Sequence, residues 1–489
     1  MGGADAGVVA PPDDRGVWRV ERLRAGYPQP HEMAWNVLIA GGGFGGFYAA
    51  RTLAKVLPPH SARVRLVTED NFMLYTPLLP GAAAGTLEPR HVVVPLREEL
   101  DSSIHLRLGT ITGASPQRNV IHVRSLDGTE EDLRYDQLIV AVGSVSRTLP
   151  IPGLAEHGRA LKSLPEAIAL RNHVIRTLEI AETLEDGDAR REYLNYVFVG
   201  AGYAGLEGLA ELQDFAADVM DLYPRCQVSG MRWILVEATE RVMPEIGKKL
   251  ADFAVRELRA RGIEIRTKTT LDEVTARSVR LSDGEVVPTR TLVWTAGVKP
   301  HPVVARFGLP LDDRGRIDTD SRLQVKGLHN VWAIGDCAGV PDPARKGMPC
   351  PPTAQHAIRQ GRLVGRNVAD ALGGNDRPRR FTYKTKGVFV DMGRRKAVAT
   401  SGPITWSGTP AWLLARSYHL AMMPGVGRRA RLLVDWNIGL IFGRDTAELG
   451  RLGEPQSLVD EVPGSSNGAH GAGGGVDSNP AESSESPVV

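Results

Sequence analysis

The sequence of 489 residues contains only three cysteines, Cys226, Cys337 and Cys350, and they lie far apart. This spacing excludes a disulfide framework and a metal site built from cysteines alone. No CxxC or CxxxxC pair is present, so thiol–disulfide exchange through neighbouring cysteines is not expected. The cysteine usage fits a reducing compartment, and we expect no metal site.

The sequence also lacks long apolar runs and a large excess of charge of one sign. No stretch of 18 uncharged apolar residues occurs, and the acidic first 20 residues lack the apolar core of a secretory signal. The 59 basic and 57 acidic side chains leave a net charge of +2, which gives no reason to expect nucleic-acid binding. With 42% hydrophobic residues the chain can nevertheless form a sizeable core.

The two ends differ in composition from the middle. Residues 1–34 are rich in glycine, proline and charge, and residues 456–489 are rich in glycine, serine, asparagine and proline. Such segments bury too little apolar surface to fold, so a disordered leader and a disordered tail are predicted. Folded structure is expected between about 35 and 455.

One pattern occurs twice, 159 residues apart: an apolar strand, a glycine turn and a helix. The first copy follows Asn36–Ala40 with Gly41, Gly43 and Gly46, and the second follows Tyr196–Val199 with Gly200, Gly202 and Gly205. In this pattern the first glycine allows a tight turn and the second lets a pyrophosphate approach the backbone. The third glycine brings helix and strand together, so the phosphates meet a helix N-terminus.

Each copy is followed by a second apolar strand that ends near an acid. These acids are Glu69, directly after Thr68, and Glu237. A carboxylate at this place can accept hydrogen bonds from ribose hydroxyls. Two such sites in one chain predict two dinucleotides, for which a resident flavin and a visiting nicotinamide are the usual combination.

Three further strand–glycine segments support this interpretation. Two end at Gly143 and Gly297, where the chain is expected to cross between domains, and the third presents the carboxylate of Asp336 after Gly335.

With these motifs, residues 35–450 resemble the two-dinucleotide-binding flavoproteins, and among them the type II NADH dehydrogenases, which are single-subunit NADH:quinone oxidoreductases. The resemblance implies that the first loop binds FAD, that the second binds NADH, and that Asp336 contacts the flavin ribityl chain. The GxxGxE extension of the second loop places Glu207 near the flavin and nicotinamide rings, although this acid could instead simply favour the helix N-terminus. The implied cofactor-binding residues are Gly41, Gly43, Phe44, Gly46, Glu69, Gly143, Gly200, Gly202, Gly205, Glu237, Gly297, Asp336, Ala354 and Gln355.

The stretch from Pro352 to Gly361 is similar to the AQxAxQQ segment that lines the quinone pocket of that family. Gln355 and Gln360 match it, whereas Arg359 stands where the first glutamine of the final pair usually lies. The resemblance therefore implies a quinone contact for Gln355 and Gln360, with Glu207 and Gln355 as the catalytic residues. Tyr75–Gly81 also departs from the family sequence, and either Thr68 or Glu69 could meet the FAD ribose.

The predicted fold is an α/β protein with two Rossmann-like domains and a C-terminal arm. The FAD domain is expected at 35–150 and 301–372, the NADH domain at 151–300, and the arm at 373–455. The implied function is transfer of hydride from NADH to FAD and of two electrons to a membrane quinone, menaquinone or ubiquinone, without proton pumping. A soluble NAD(P)H diaphorase with another acceptor and an NADH-sensing flavoprotein are the alternatives.

The arm is expected to bind a membrane surface. Between Arg394 and Arg451 it carries nine basic and three acidic residues, an excess of 9 − 3 = +6, interleaved with tryptophans and aliphatic residues. Helices of this kind can lie in the interfacial plane of a bilayer. We therefore expect a peripheral protein on the cytoplasmic face of the membrane. Packing of the arm on its own FAD domain, or on the second subunit of a homodimer, is the alternative.

Overall fold

A computed structural model describes residues 35–448, apart from 245, 376, 386 and 403, together with two short paired strands, β1 (Val8–Val9) and β2 (Val20–Glu21). Apart from those strands, the leader 1–34 and the tail 456–489 lie outside the described residues.

The elements alternate between strand and helix as the glycine motifs predict. Residues 35–150 form β3 (Trp35–Ala40), α1 (Phe44–Val56), β4 (Ala62–Thr68), β5 (Phe72–Leu74), α2 (Leu79–Ala83), β6 (Val93–Pro95), α3 (Leu96–Glu99), β7 (Ile104–Ser115), β8 (Val120–Ser125), β9 (Glu130–Arg134), β10 (Gln137–Val140) and β11 (Ser144–Ser146). Residues 151–300 form α4 (Leu154–His157), β12 (Gly158–Ala160), α5 (Leu164–Thr183), α6 (Gly187–Leu194), β13 (Asn195–Val199), α7 (Tyr203–Asp218), α8 (Pro224–Ser229), β14 (Arg232–Glu237), α9 (Lys248–Ala260), β15 (Ile263–Thr267), β16 (Leu271–Val274), β17 (Ser278–Leu281), β18 (Val286–Pro288), β19 (Thr291–Trp294) and β20 (Val298–Pro300). The later elements are β21 (Val331–Ala333), α10 (Ala354–Leu372), β22 (Gly387–Asp391), β23 (Ala397–Ser401), β24 (Ile404–Gly408), α11 (Thr409–Met422) and α12 (Val426–Ile441).

The larger sheet has seven strands in the order β21-β10-β3-β4-β7-β8-β9. The first five are parallel, and β8 and β9 continue antiparallel. Strand β3 is the middle one of the five parallel strands, and its apolar residues Val37–Ala40 are fully buried, as expected for a parallel strand covered on both faces. Because β10 and β21 are neighbours, the chain leaves this sheet after residue 140 and returns to it near residue 331.

The second sheet has five parallel strands in the order β12-β19-β13-β14-β15, with β13 at its centre. A three-stranded antiparallel sheet, β16-β17-β18, shares an apolar cluster with this second sheet. The two segments predicted to cross between domains pair with each other, since β11 lies antiparallel to β20. The two predicted Rossmann-like units thus correspond to two sheets, while the predicted domain boundaries remain predictions.

Helix α10 packs closely against α1 because glycines face the contact. A Cβ on Gly361 would lie 2.3 Å from the carbonyl oxygen of Gly45, and one on Gly365 would lie 2.8 Å from the Cβ of Thr52. The small residues let the two backbones approach, so α10 is fixed beside the first glycine loop.

The C-terminal region forms the antiparallel sheet β22-β23-β24, on which α11 packs, followed by α12. Val390, Met392 and Val398 of this region join the apolar core of the second sheet, while Leu432 and Trp436 of α12 join that of the first. No helix in the described part of the chain is long and apolar enough to span a membrane.

Candidate active site

The first glycine loop connects β3 to α1. Gly41 has φ +109°, a conformation that favours glycine, and a Cβ there would lie 2.4 Å from the carbonyl oxygen of Ala141. A Cβ on Gly46 would lie 1.9 Å from the carbonyl oxygen of Gly41. At Gly43, in contrast, a Cβ would meet no described heavy atom within 4 Å. The fold therefore has no room for a side chain at the first and third glycines, Gly41 and Gly46. Gly43 instead leaves open space in front of α1, which starts at Phe44.

The second loop, between β13 and α7, repeats this geometry. Gly200 has φ +104°, and a Cβ on Gly205 would lie 1.9 Å from the carbonyl oxygen of Gly200. The Thr295 hydroxyl, which donates to the carbonyl oxygens of Val199 and Gly200, closes the turn from the neighbouring strand. A Cβ on Gly202 would again have no described neighbour within 4 Å.

Both helices begin without a side-chain cap and carry no acid in their first turn. The first N–H groups of a helix have no partner within it, and the helix dipole favours negative charge there. Two open glycine positions, each before such a helix start, fit the pyrophosphates of two dinucleotides. The residues present thus suit both FAD and NADH.

The acids after the second strand of each unit differ in their surroundings. The Glu237 carboxylate, at the end of β14, accepts hydrogen bonds from the backbone N–H groups of Ala201 at 2.8 Å and Thr239 at 2.9 Å. It is thereby held beside the second glycine loop. In the first unit the Thr68 side chain packs against Gly42, while Glu69 is exposed just beyond β4. Glu69 is thus an accessible carboxylate directly after that strand.

Asp336 lies in a short 3₁₀ turn after β21. Its Oδ2 accepts a hydrogen bond from the Ser144 hydroxyl at 2.7 Å and lies 3.7 Å from Nζ of Lys162. The preceding residue, Gly335, has φ +72°, and its N–H donates to Oε1 of Gln360 at 2.7 Å. Gln360 is only 1% exposed, and its hydrogen bond with Gly335 helps to hold the turn that carries Asp336. Its predicted quinone contact stays a prediction.

Gly143 and Gly297 lie at the two ends of the paired crossing segments. Both have positive φ, +74° and +100°, and a Cβ on either would meet no described atom within 4 Å. Their roles in binding the cofactors remain predictions.

Gln355 lies in the first turn of α10, directly after Ala354, in a helix capped by the Thr353 side chain. Its Oε1 accepts from the Tyr383 hydroxyl at 2.6 Å, and its Nε2 donates to the carbonyl oxygen of Gly387 at 3.1 Å. The guanidinium of Arg359 lies 3.9 Å from the centre of the Tyr383 ring. The amide is therefore held in one orientation by the C-terminal region.

Glu207, on α7, lines a cavity of about 40 Å³ together with Glu211, Asp391, Arg416 and His419. Its Oε1 accepts a hydrogen bond from the backbone N–H of Asp391 at 2.9 Å. Because a buried water molecule needs about 10–15 Å³, this cavity can hold more than one. The cavity lies between α7 and three elements of the C-terminal region, β22, α11 and α12.

Burial changes the protonation of this cluster. It raises the pKa of the Glu207 carboxyl well above its usual value, and the nearby Asp391 carboxyl adds to this effect. Burial also raises the pKa of Asp391 to about 7, reinforced by the negative charge of Glu211. The imidazole of His419, whose Nδ1 lies 3.3 Å from the Tyr75 hydroxyl, has its pKa lowered by burial to about 4. Near neutral pH the cavity thus holds exchangeable protons on carboxyl groups and a neutral histidine.

The positive charge at this cavity comes from Arg416 of α11. Its guanidinium lies between two aromatic rings, 4.0 Å from the centre of Trp412 and 4.9 Å from that of Trp436. Sequence reasoning missed both Asp391 and Arg416 as site residues. Their signal was weak, because they come from the C-terminal region and only the tertiary fold brings them to Glu207.

Residues 35–361 match the family described as pyridine nucleotide-disulphide oxidoreductase. The chain belongs to this family. A Dictyostelium discoideum protein named "Probable NADH dehydrogenase" is 30% identical over 417 residues, covering 84% of this chain and 90% of that protein. The type II NADH:quinone oxidoreductase Ndh of Mycobacterium tuberculosis is 29% identical over 422 residues, covering 84% and 89%. The NADH complex of NDH2 from Plasmodium falciparum has the same fold, with a TM-score of 0.77, 19% identity and coverage of 84% and 99%.

These findings confirm the predicted α/β fold, the resemblance to type II NADH dehydrogenases and the assignment of the chain to the NAD- and flavin-dependent oxidoreductases. The family name includes disulphide chemistry, but Cys226, Cys337 and Cys350 are all free and buried here. In this member of the pyridine nucleotide-disulphide oxidoreductases, electron transfer through a cysteine pair is therefore not supported.

Proposed function

We propose that the protein is an FAD-dependent NADH:quinone oxidoreductase that works at a membrane surface without pumping protons. The observation that carries the proposal is the pair of glycine loops with matching geometry, one at each of two parallel sheets in a single chain. The name of the Mycobacterium tuberculosis relative, an NADH:quinone oxidoreductase, supports quinone as the acceptor.

Each loop has a defined part in binding. The open position at Gly43 and the start of α1 hold the pyrophosphate of FAD, and Gly202 and the start of α7 hold that of NADH. When bound, the flavin supplies the two-electron chemistry that links the nicotinamide to the acceptor. Glu237, held by two backbone N–H groups, presents its remaining lone pairs to the adenosine ribose of NADH and repels a 2′-phosphate.

In the reaction with the acceptor, Gln355 and the cavity lined by Glu207, Glu211 and Asp391 have different roles. The Gln355 amide, fixed by Tyr383 and Gly387, orients a quinone through a hydrogen bond to its carbonyl. Reduction of a quinone to a quinol consumes two protons. The neutral carboxyl of Glu207, with Asp391 beside it, holds a proton that can be passed to the acceptor and replaced through the cavity.

The membrane surface is the environment from which a lipid-soluble quinone must come. Much of the apolar surface of the C-terminal region is exposed, and Arg429 and Arg431 are exposed on the same helix, α12, as several of these side chains. The exposed apolar side chains are Ile404, Trp406, Leu413, Val426, Leu433, Val434, Ile438, Leu440, Ile441 and Phe442. Such a surface suits peripheral binding with the apolar side chains at the interface. We propose the cytoplasmic face of the membrane.

The experiment that tests the function is steady-state oxidation of NADH by the purified, FAD-containing protein, with and without a water-soluble quinone. We expect rapid oxidation only with the quinone, and stoichiometric formation of quinol. Turnover only with a protein acceptor would favour a soluble diaphorase, and NADH binding without turnover would favour a sensor. Either result would overturn the proposal.

A further inference from the structure

A wide groove lies on the side of α10 that carries Arg359. It has a volume of about 910 Å³ and is bounded by α10, by the segment 380–385 that leads toward β22, and by the turn between β23 and β24. It is open to solvent and is distinct from the 40 Å³ cavity at Glu207, because the two share no lining residue.

The charged residues that line this groove are all basic. Arg359, Arg380 and Lys384 line it, and no acidic residue does. None of these three cations makes an ion pair within the described residues, although five of the ten other described basic side chains between residues 373 and 448 do. For example, Arg394 and Arg444 both bind Asp214. Three positive charges facing one open volume without a counter-charge attract an anion.

The polar groups in the groove suit phosphate in particular. A guanidinium presents several N–H donors to phosphate oxygens, an ammonium adds a compact charge, and hydroxyls complete the hydrogen bonding. Here Thr382, Thr385 and Ser401 supply the hydroxyls. Arg359 is held in place, because it donates to the carbonyl oxygen of Gln355 at 3.0 Å and its guanidinium lies against the Tyr383 ring. The cost of ordering it on binding is therefore reduced.

The surroundings of the groove connect it to a lipid surface. Strand β24 begins just after the Ser401–Gly402 turn, and its Ile404 and Trp406 side chains are 54% and 40% exposed. An exposed tryptophan beside uncompensated cations is typical of the headgroup level of a bilayer.

We propose that this groove is a binding site for a phosphate group. The group is supplied either by the headgroup of an anionic phospholipid or by free phosphate. The site goes beyond the proposed function, since it needs neither quinone nor NADH. Tyr383 connects it to the acceptor side, because its ring contacts Arg359 while its hydroxyl donates to Gln355.

The test uses the FAD-containing protein, the double variant Arg380→Gln/Lys384→Gln and a control pair of equal charge change, Lys249→Gln/Arg259→Gln. The control positions are exposed on α9 and make no ion pair within the described residues. One arm measures sedimentation with vesicles of phosphatidylcholine alone or mixed with phosphatidylglycerol. The other arm measures the thermal unfolding midpoint with inorganic phosphate against chloride at equal ionic strength. Flavin content shows that each variant is folded.

For a lipid headgroup, the groove variant should bind phosphatidylglycerol vesicles about 30-fold more weakly. Each cation near an anionic surface contributes about fivefold, that is, about 1 kcal/mol. The control pair should change binding by less than about twofold. For free phosphate, the groove variant alone should lose the phosphate-dependent rise in the unfolding midpoint. If it matches the control pair in both arms, the groove is not a phosphate site and the proposal is overturned. Because neither arm measures turnover, a failure of quinone reduction would leave this test unaffected.

Discussion

Two substitutions in the second glycine loop, Gly202→Ala and Gly205→Ala, should have different effects on the stability of the fold and on the binding of NADH. In Gly202→Ala the new methyl group meets no described atom within 4 Å, so the fold can accept it. In Gly205→Ala the methyl group would lie 1.9 Å from the carbonyl oxygen of Gly200 and 2.4 Å from the Thr295 hydroxyl oxygen. The first change should weaken NADH binding, and the second should disturb the protein itself.

The sizes of the two effects follow from these contacts. Gly202 has ordinary extended backbone angles at a helix N-cap, where replacing glycine by alanine costs at most about 1 kcal/mol of stability. Its methyl group would keep the pyrophosphate from the backbone. Losing one hydrogen bond to a charged group costs about 1.5–3 kcal/mol, which corresponds to a rise of about 10- to 150-fold in the KM for NADH. Gly205→Ala requires the helix to move away from the turn, and overpacking of this kind costs about 1–3 kcal/mol or more.

The assay combines urea unfolding, flavin content and the rate of flavin reduction at varied NADH concentration. Gly187→Ala is the matched control, because it is also an open glycine at the start of a helix, α6, but lies outside the loop. It should leave the KM for NADH unchanged. A Gly202→Ala protein that folds, binds FAD and keeps the wild-type KM would refute the assignment of this loop to NADH.

The other predictions concern specificity, the acceptor and pH. Glu237→Ala should reduce the preference for NADH over NADPH, measured as the ratio of the two kcat/KM values; an unchanged ratio would assign the preference to other residues. Gln355→Ala should raise the KM for quinone about 5- to 150-fold, since a hydrogen bond worth roughly 1–3 kcal/mol is lost. It should leave flavin reduction by NADH intact; slower reduction would place Gln355 on the nicotinamide side. Asp391→Asn should flatten the pH dependence of stability, measured by urea unfolding across pH. The raised pKa keeps Asp391 protonated in the folded state, so the wild type loses stability as pH rises from about 4 to about 7. Identical pH profiles would show that Asp391 is not the group responsible.

The sequence predicts the glycine loops well because their determinants are local. The spacing of Gly200, Gly202 and Gly205 and the strand before them contain all that the turn requires, and the structure shows the expected geometry. The role of Gln360 could not be found this way. Its side chain accepts from the Gly335 N–H, 25 residues away, and this contact depends on how α10 packs against the larger sheet. Gly361 and Gly365, which permit that packing, look like ordinary helix interruptions in the sequence.

The residues that line the cavity at Glu207 could likewise be predicted only in part from the sequence, because they come from distant parts of the chain. Glu207 could be singled out because it extends a recognisable motif. Its partner Asp391 lies 184 residues further along the chain and occurs in no pattern that indicates chemistry. The packing of β22 against α7 makes the two carboxyl groups neighbours. Burial, together with the nearby carboxyl groups, raises both pKa values.

The C-terminal region serves the cavity at Glu207 as well as the proposed membrane binding, because its helices have two different faces. One side exposes aliphatic residues such as Ile438 and Ile441, as expected for a surface that binds lipid. The opposite side buries Trp412 and Trp436 around Arg416, which brings its charge to the cavity of Glu207. Tryptophans are among the residues from which the sequence predicts a membrane-binding arm, but these two are buried within the protein. Shortening the chain after residue 400 would therefore remove Arg416 from the cavity at Glu207 as well as the exposed apolar surface. Exchange of exposed residues such as Ile441 for polar ones is the change that tests the proposed membrane binding separately from the chemistry of the cavity.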